Sequence, residues 1–397
     1  MSSHRFDEIT RVDLSRPSSR KWSLHPGTIG AWVAEMDFGT APAVTEALHR
    51  AIDDGDLGYL APSVSRRMAE ATSAWLRDDC GWVIAPENIH PVSDVMAALE
   101  VAVSKYSPSG TGVIIPTPSY MPFLSFTPTL GREVFEVAGQ IVDGRWHHDL
   151  AAIDAAFHAG ARTLILCNPH NPTGTAIDRD ELLAIAEIVD RHNGRVFADE
   201  IHSPLRYGTT SHIPYASLSS VTAKHTITAT SASKAWNLPG LKAAQIITSN
   251  PADEELYQIF GFSVLHGAST PGVIAAAAAY TDGREWLGDV IDYLDGNRQL
   301  LKTLLAEHLP EVVYTAPDAT YIAWLDCSAL GIDGSIPGSL ADFFREEAGV
   351  TLTDGALCGR GYEGYVRLIF AMPAPILEQA IIQMAHAVER CRKAAHA

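Results

Sequence analysis

Hydrophobic and polar positions follow two rhythms along this chain. Val44, Leu48 and Ile52 recur at helical spacing, and Gly55 follows as a stop. Met68, Ala71, Trp75 and Leu76 predict a second helix. Short apolar runs then alternate with helical stretches. Val113–Ile115, Val134–Val137, Thr163–Leu166, Arg195–Ala198, Thr226–Thr230 and Ala244–Thr248 read as strands. Val95–Ser104, Leu150–His158 and Asp180–His192 read as the helices between them. Such alternation predicts an α/β fold, a parallel sheet covered on both faces. Sheets of this kind bind ligands beyond the carboxyl ends of their strands. Residues 1–42, rich in Ser, Pro and Arg and weakly periodic, read as an irregular arm. After about residue 284 the pattern changes. Trp286, Val290, Tyr293 and Leu294 open a long helix towards His308. Tyr321–Leu325, Ala341–Glu347, Val366–Phe370 and a helix from Ile376 follow, as in a smaller α+β domain. The expected organisation is an N-terminal arm, 1–42, contributing to the small domain, a large domain, 43–284, and a small C-terminal domain, 285–397.

Composition narrows the function. The 397 residues are 47% hydrophobic and 19% charged, which suits a packed core and not a disordered chain. Lys and Arg number 29 against 47 Asp and Glu, a net charge of −18. That balance disfavours nucleic acid and anionic membrane surfaces as partners. The longest apolar stretch, Gly272–Tyr280, falls short of the ~20 residues of a membrane span. Cys80, Cys167, Cys327, Cys358 and Cys391 are odd in number and lack C-x-x-C spacing, and MSSHRFDEIT has no apolar leader core. Free thiols in a cytoplasmic protein are expected. His147-His148 resembles a metal pair. Adjacent strand residues point to opposite faces, however, and a loop-like stretch after Gly144 predicts surface histidines, so no metal is expected. Cys167 and Cys358 read as small core or loop residues.

Four clusters stand at or just after predicted strands. Ser231-Ala-Ser233-Lys234 sets a lysine beside hydroxyls that suit a phosphate ester; alone, the lysine could be a solvated surface residue. Asp199-Glu200-Ile201-His202 could hold a protonated ring nitrogen or merely cap a loop. Asn168-Pro-His-Asn171-Pro-Thr-Gly174 forces a tight turn and could aim the Asn171 amide into a cleft. Arg367 interrupts an apolar strand; its fork fits a ligand carboxylate or a structural Asp or Glu.

Taken in order, these clusters resemble the fold-type-I pyridoxal phosphate enzymes of the aminotransferase class I/II superfamily. The resemblance runs along essentially the whole chain. It implies a large domain with a mixed, mostly parallel seven-stranded sheet, helices on both faces, and a smaller α+β domain. It implies that Lys234 bonds pyridoxal 5′-phosphate covalently, that Asp199 pairs with the pyridinium nitrogen and that Asn171 meets the ring hydroxyl. His202 stands where aminotransferases usually have tyrosine. Tyr120, in Pro118-Ser119-Tyr120, matches the ring that stacks on the cofactor. Backbone N–H groups at Ser93, Asp94 and Val95 would meet the phosphate where a helix opens, with Asp94 as the cap. Ser231 and Ser233 would add hydroxyls. Lys242 stands where many relatives have arginine. Tyr59, in Asp56-Leu-Gly-Tyr59, matches a tyrosine that reaches the neighbouring subunit's site, so a homodimer is implied. Arg367 would clamp the α-carboxylate of a small amino-acid substrate, with Ala34, Tyr120 and Asn171 beside it.

A narrower resemblance lies in Ala31-Trp-Val-Ala-Glu-Met-Asp-Phe38, which is similar to a signature of the cystathionine β-lyase-like C–S lyases of the MalY/PatB type. Asn237-Leu-Pro-Gly-Leu241, and Phe6-Asp7 with Lys21-Trp22, point the same way. Glu35, Thr175-Ala-Ile177 and Ile369 depart from that group's usual residues. The implied reaction is α,β-elimination on cystathionine or another cysteine S-conjugate. Lys234 would act as the base and a thiolate would leave. Transamination shares the early steps and stays open as the alternative, as does a regulatory protein built on this fold.

Overall fold

A computed structural model describes residues 3–332 and 338–395. The first two residues of the arm, and 333–337 and 396–397 of the expected small domain, lie outside the described residues. In chain order the strands are β1 (Ile29–Gly30), β2 (Ile89–Val92), β3 (Gly112–Thr117), β4 (Val134–Ala138), β5 (Gln140–Val142), β6 (Arg145–His147), β7 (Ala161–Cys167), β8 (Arg195–Asp199), β9 (Thr226–Thr230), β10 (Ala244–Thr248), β11 (Val313–Tyr314), β12 (Ile322–Asp326), β13 (Val350–Thr351), β14 (Thr353–Asp354) and β15 (Tyr365–Ile369).

Seven of them form one sheet in the order β2-β10-β9-β8-β7-β3-β4. Neighbours pair in parallel except β10, which runs antiparallel to both β9 and β2. Alternate residues of each strand enter different cores, the period-2 signature of a sheet buried on both sides. Val113, Ile115, Ile165 and Phe197 pack with Leu99 and Val103 of the helix Val95–Lys105. Ile114, Leu164, Leu166 and Val196 pack with Ile153 and Ile185 of the helices Leu150–His158 and Arg179–Arg191. Asp94, Asp149 and Asp178 each cap one of these helices, accepting the N–H of Ala97, Ala152 and Glu181 at 2.9 Å. Each cap contributes about 1 kcal/mol and fixes where the chain turns from strand to helix.

The remaining chain builds a second unit around the four-stranded antiparallel sheet β11-β12-β15-β14. The long helix Arg284–His308 and the final helix Ala374–Ala395 pack together over it. The arm has more structure than its composition suggested. It carries the short helices Arg11–Leu14 and Arg20–Ser23, and β1 pairs in parallel with β13. Phe6 packs tilted against Phe38, ring centroids 4.7 Å apart, and edge-on against Tyr293 at 5.1 Å, tying the arm to the long helix.

The reading of His147 and His148 is corrected. Asp143 and Gly144 have φ of 51° and 78° and form the two-residue turn of the hairpin β5–β6. His147 ends β6, and His148 is buried. Both rings reach the carboxylate of Glu181 at 2.6 Å. Among the described residues no single helix is long and apolar enough to cross a membrane.

Candidate active site

β3, β7, β8 and β9 all end at one edge of the large sheet, and β2 runs parallel to them. The loops leaving that edge enclose a cavity of about 280 Å³. Ala34, Ser93, Asp94, Val95, Tyr120, Asn171, Asp199, His202, Ser231, Ser233, Lys234 and Lys242 line it. Arg367 stands directly behind Asn171, and Tyr59 lies elsewhere.

Lys234 follows β9 on the short helix Ala232–Ala235, capped by Ser231. Its Nζ donates to the Ala34 carbonyl at 3.0 Å, and Tyr321 Oη donates to the same oxygen at 3.0 Å. Burial and the neighbouring Arg367 charge lower the amine to about 8. At pH 7 roughly a tenth of such a lysine is free amine, far more than for an ordinary lysine. Asp199 ends β8 and is buried; its Oδ1 accepts the Ile201 N–H at 3.1 Å. Burial pushes its carboxyl up to about 7, opposed by that N–H and by Lys234. His202 is buried, and its Nδ1 has no partner. Burial, reinforced by Lys234 and Arg367, lowers it to about 3, so the ring is neutral.

The Asn-Pro turn is held by close packing. Gly174 has φ of 71°, and a Cβ there would meet Pro317 at 2.2 Å. Its carbonyl accepts the N–H groups of Asp318 and Ala319 at 3.0 Å. The turn is therefore docked against the second unit, and Asn171 meets Arg367. Arg367 sits on β15 with 3% exposure. Its Nη1 donates to Asn171 Oδ1 at 3.1 Å, and its Nη2 to the Trp32 carbonyl at 3.1 Å and Thr353 Oγ1 at 3.3 Å. Its Nε has no partner, and among the described residues no Asp or Glu forms an ion pair with it. The structural ion pair open at the sequence level is thus absent among the described residues.

The rim differs in detail from expectation. Lys242 pairs with Asp94 at 2.9 Å, so its charge is already matched. Ser231 Oγ donates to the Ala243 carbonyl at 2.8 Å and accepts the Ser233 N–H at 3.0 Å, so its proton is committed. Tyr59 is 94% exposed beside His266 and Phe262, outside its own chain's cavity. Tyr321 and Thr353 escaped the sequence reading because neither sits in a motif.

The segment 31–38 is anchored from below. Lys21 Nζ bonds Asp37 Oδ2 at 2.8 Å and the Glu35 carbonyl at 3.1 Å. Trp22 Nε1 donates to Asp37 Oδ1 at 2.9 Å. The signature residues Lys21, Trp22 and Asp37 thus build one buried network whose effect is to place the Ala34 carbonyl against Lys234.

The fold and site define an α/β protein with a lysine and a buried aspartate at the sheet's ligand edge, and a buried arginine behind Asn171. The chain belongs to the aminotransferase class I and II family, whose model matches residues 33–382. It is 35% identical over 382 residues to the cystathionine beta-lyase of Corynebacterium glutamicum, covering 96% of this chain and 99% of that one. It is 34% identical to the cystathionine beta-lyase PatB of Bacillus subtilis, over 85% and 86% of the two chains. The crystal structure of cystalysin from Treponema denticola, which contains pyridoxal 5′-phosphate, superposes with a TM-score of 0.90 at 27% identity, covering 97% and 99%.

Proposed function

We propose that this protein is a pyridoxal-phosphate-dependent C–S β-lyase that cleaves cystathionine or another cysteine S-conjugate to a thiol, pyruvate and ammonia. The observation that supports the reading is a buried Arg367 with no carboxylate partner among the described residues, bonded to Asn171, which lines the same cavity as the half-buried Lys234. Elimination is favoured over transamination because relatives bearing the lyase name match nearly the whole chain.

The cavity suits pyridoxal phosphate. Asp199 would take a protonated ring nitrogen, which lowers its carboxyl again by a direct ion pair. The unpartnered His202 Nδ1 and the Asn171 amide would meet ring oxygen, and Tyr120 would cover a ring face. The helix opening at Ser93, Asp94 and Val95, with Ser233, would receive the phosphate, while Ser231 and the Lys242–Asp94 pair shape its rim. When bound, the cofactor supplies an electron sink for the pair left at Cα.

The chain's own groups do the rest. Arg367 binds the α-carboxylate in two bonds and orients Cα–H. Lys234 Nζ, lowered to about 8, takes the α-proton as general base. The Cβ–S bond then breaks, sulfur leaves with the electron pair, and it gains a proton. The three-carbon enamine released adds water to give pyruvate and ammonia. The Ala34 carbonyl, held by Tyr321, offers the Lys234 amine a resting acceptor.

Part of the reading concerns assembly and place. Exposed Leu57, Tyr59, Ile259 and Phe262 support a homodimer in which Tyr59 of a second copy completes the phosphate end. Free cysteines, three of them buried, support a cytoplasmic setting. The two sheets support division into the arm 1–42, the large domain 43–284 and the small domain 285–397. The test is pyruvate release from L-cystathionine without any keto acid. Turnover that requires a keto acid would replace this reading with aminotransfer.

A further inference from the structure

The junction between the two units carries a strained residue. Five non-glycine residues among those described have positive φ: Asp143, Asn193, Asn237, Lys242 and Thr320. Asparagine and aspartate take that region readily, but a β-branched side chain crowds its own backbone there. Thr320 does so at φ 64° with no exposure, and its Oγ1 has no partner among the described residues. Bonds on both sides hold it. Its N–H donates to the Leu205 carbonyl at 2.7 Å, and its carbonyl accepts Tyr207 Oη. The two residues before it, Asp318 and Ala319, donate to the Gly174 carbonyl. Strain of this kind persists where the surroundings over-determine it, and it clusters at working sites.

What the strained turn places is Tyr321. The residue is fully buried, and its carbonyl accepts the Phe370 N–H at 3.0 Å. Its hydroxyl donates to the Ala34 carbonyl at 3.0 Å, the oxygen that also receives Lys234 Nζ at 3.0 Å. Burial raises the phenol, so it stays protonated and is the donor in that bond. A carbonyl oxygen has two lone pairs. Here one goes to the hydroxyl and one to the amine. The acceptor is itself held on either side of Ala34. Arg367 Nη2 donates to the Trp32 carbonyl at 3.1 Å, and Asn237 Oδ1 accepts the Met36 N–H at 2.9 Å.

We infer that Tyr321 is a positioning residue for Lys234: by taking one lone pair of the Ala34 carbonyl, its hydroxyl fixes where that oxygen holds the amine and weakens its hold on the charged form. The inference rests on the reading of Lys234 as the base, and not on which bond breaks afterwards. Without the hydroxyl the carbonyl becomes a stronger acceptor, and the charged amine is favoured. Arg367, Glu35, Asp199 and His202 are also coupled to the amine, and removing the hydroxyl alters none of them.

The test is Tyr321→Phe, which removes one oxygen and keeps the ring. In the cofactor-free chain, competitive acetylation with acetic anhydride, read by mass spectrometry across a pH series, gives the protonation midpoint of Lys234. That midpoint should rise by about 0.5 pH unit in the variant. On the holoenzyme, L-alanine in deuterium oxide isolates the base step, since it has no group to lose from Cβ. Exchange of its α-proton, followed by NMR, should slow about tenfold, while its dissociation constant, from the cofactor absorbance, stays within about twofold. That exchange precedes elimination and transamination alike, so the test stands if the lyase reading fails. An unchanged midpoint and exchange rate, with only a lower melting temperature, would overturn the proposal and leave Tyr321 a packing residue. So would a midpoint that falls, or a loss confined to alanine binding. If the wild-type holoenzyme exchanges no α-proton, Lys234 is not the base, and the midpoints alone decide whether Tyr321 sets its charge.

Discussion

Arg367 and Asp199 are both buried inside one site, and among the described residues neither forms an ion pair with a protein partner. Such groups are costly unless a ligand completes them. Arg367→Lys keeps the charge but loses the fork. Steady-state kinetics should show kcat/KM down about 100-fold, mostly through KM, with the cofactor band at about 420 nm retained. Lys234→Ala should lose that band and at least ~10³-fold in turnover. Asp199 makes a pH prediction for the cofactor-free protein. Its folded carboxyl stands at about 7 against an ordinary 3.8, so the native state holds the extra proton between those values. Its contribution to stability is therefore complete below pH 3.8 and is lost as pH rises towards 7. The slope is up to about 1.4 kcal/mol per pH unit. His202, lowered to about 3, runs the other way, so the readout is the difference between wild type and Asp199→Asn. Thermal melts should show the variant gaining relative stability as pH rises from 4 to 7; parallel curves would refute the assignment.

At the scale of elements, the Lys21–Asp37 pair decides whether segment 31–38 presents Ala34 correctly. Both side chains are almost fully buried. Lys21→Met strands a buried carboxylate and should cost about 3–5 kcal/mol in urea unfolding, while Lys21→Met with Asp37→Leu should recover most of it. Six strands of the large sheet were legible as β-branched runs because both faces are buried. β2 was not: it has four residues, with Pro91 and His90 inside. Nor was the direction of β10, since an apolar run carries no polarity. The connection from Thr230 to Ala244 has only a four-residue α-helix and a 3-10 turn, too little for a crossover, so β10 returns antiparallel. The candidate clusters around Lys234, Asp199 and Asn171 were legible because each stands at or just after the end of a strand in a compact motif. Tyr321 and Thr353 were not, since only the fold carries them to Ala34 and Arg367. His147 and His148 differ from expectation because the stretch after Gly144 is the second strand of a hairpin and not a loop.

For the whole molecule, the apolar patch around Tyr59, 94% exposed, and Phe262, 76% exposed, supports the proposed homodimer. Sedimentation should give a dimer, and Phe262→Glu should shift it towards monomer with loss of turnover. The central claim is that one chain fold joins a carboxylate-binding arginine to a lysine base for cleavage at Cβ. The most direct measurement is purified holoenzyme with L-cystathionine and no keto acid, followed for pyruvate and thiol. The account predicts catalytic, matched release of both. Bleaching of the cofactor band in a single turnover, with activity restored only by a keto acid, would contradict it.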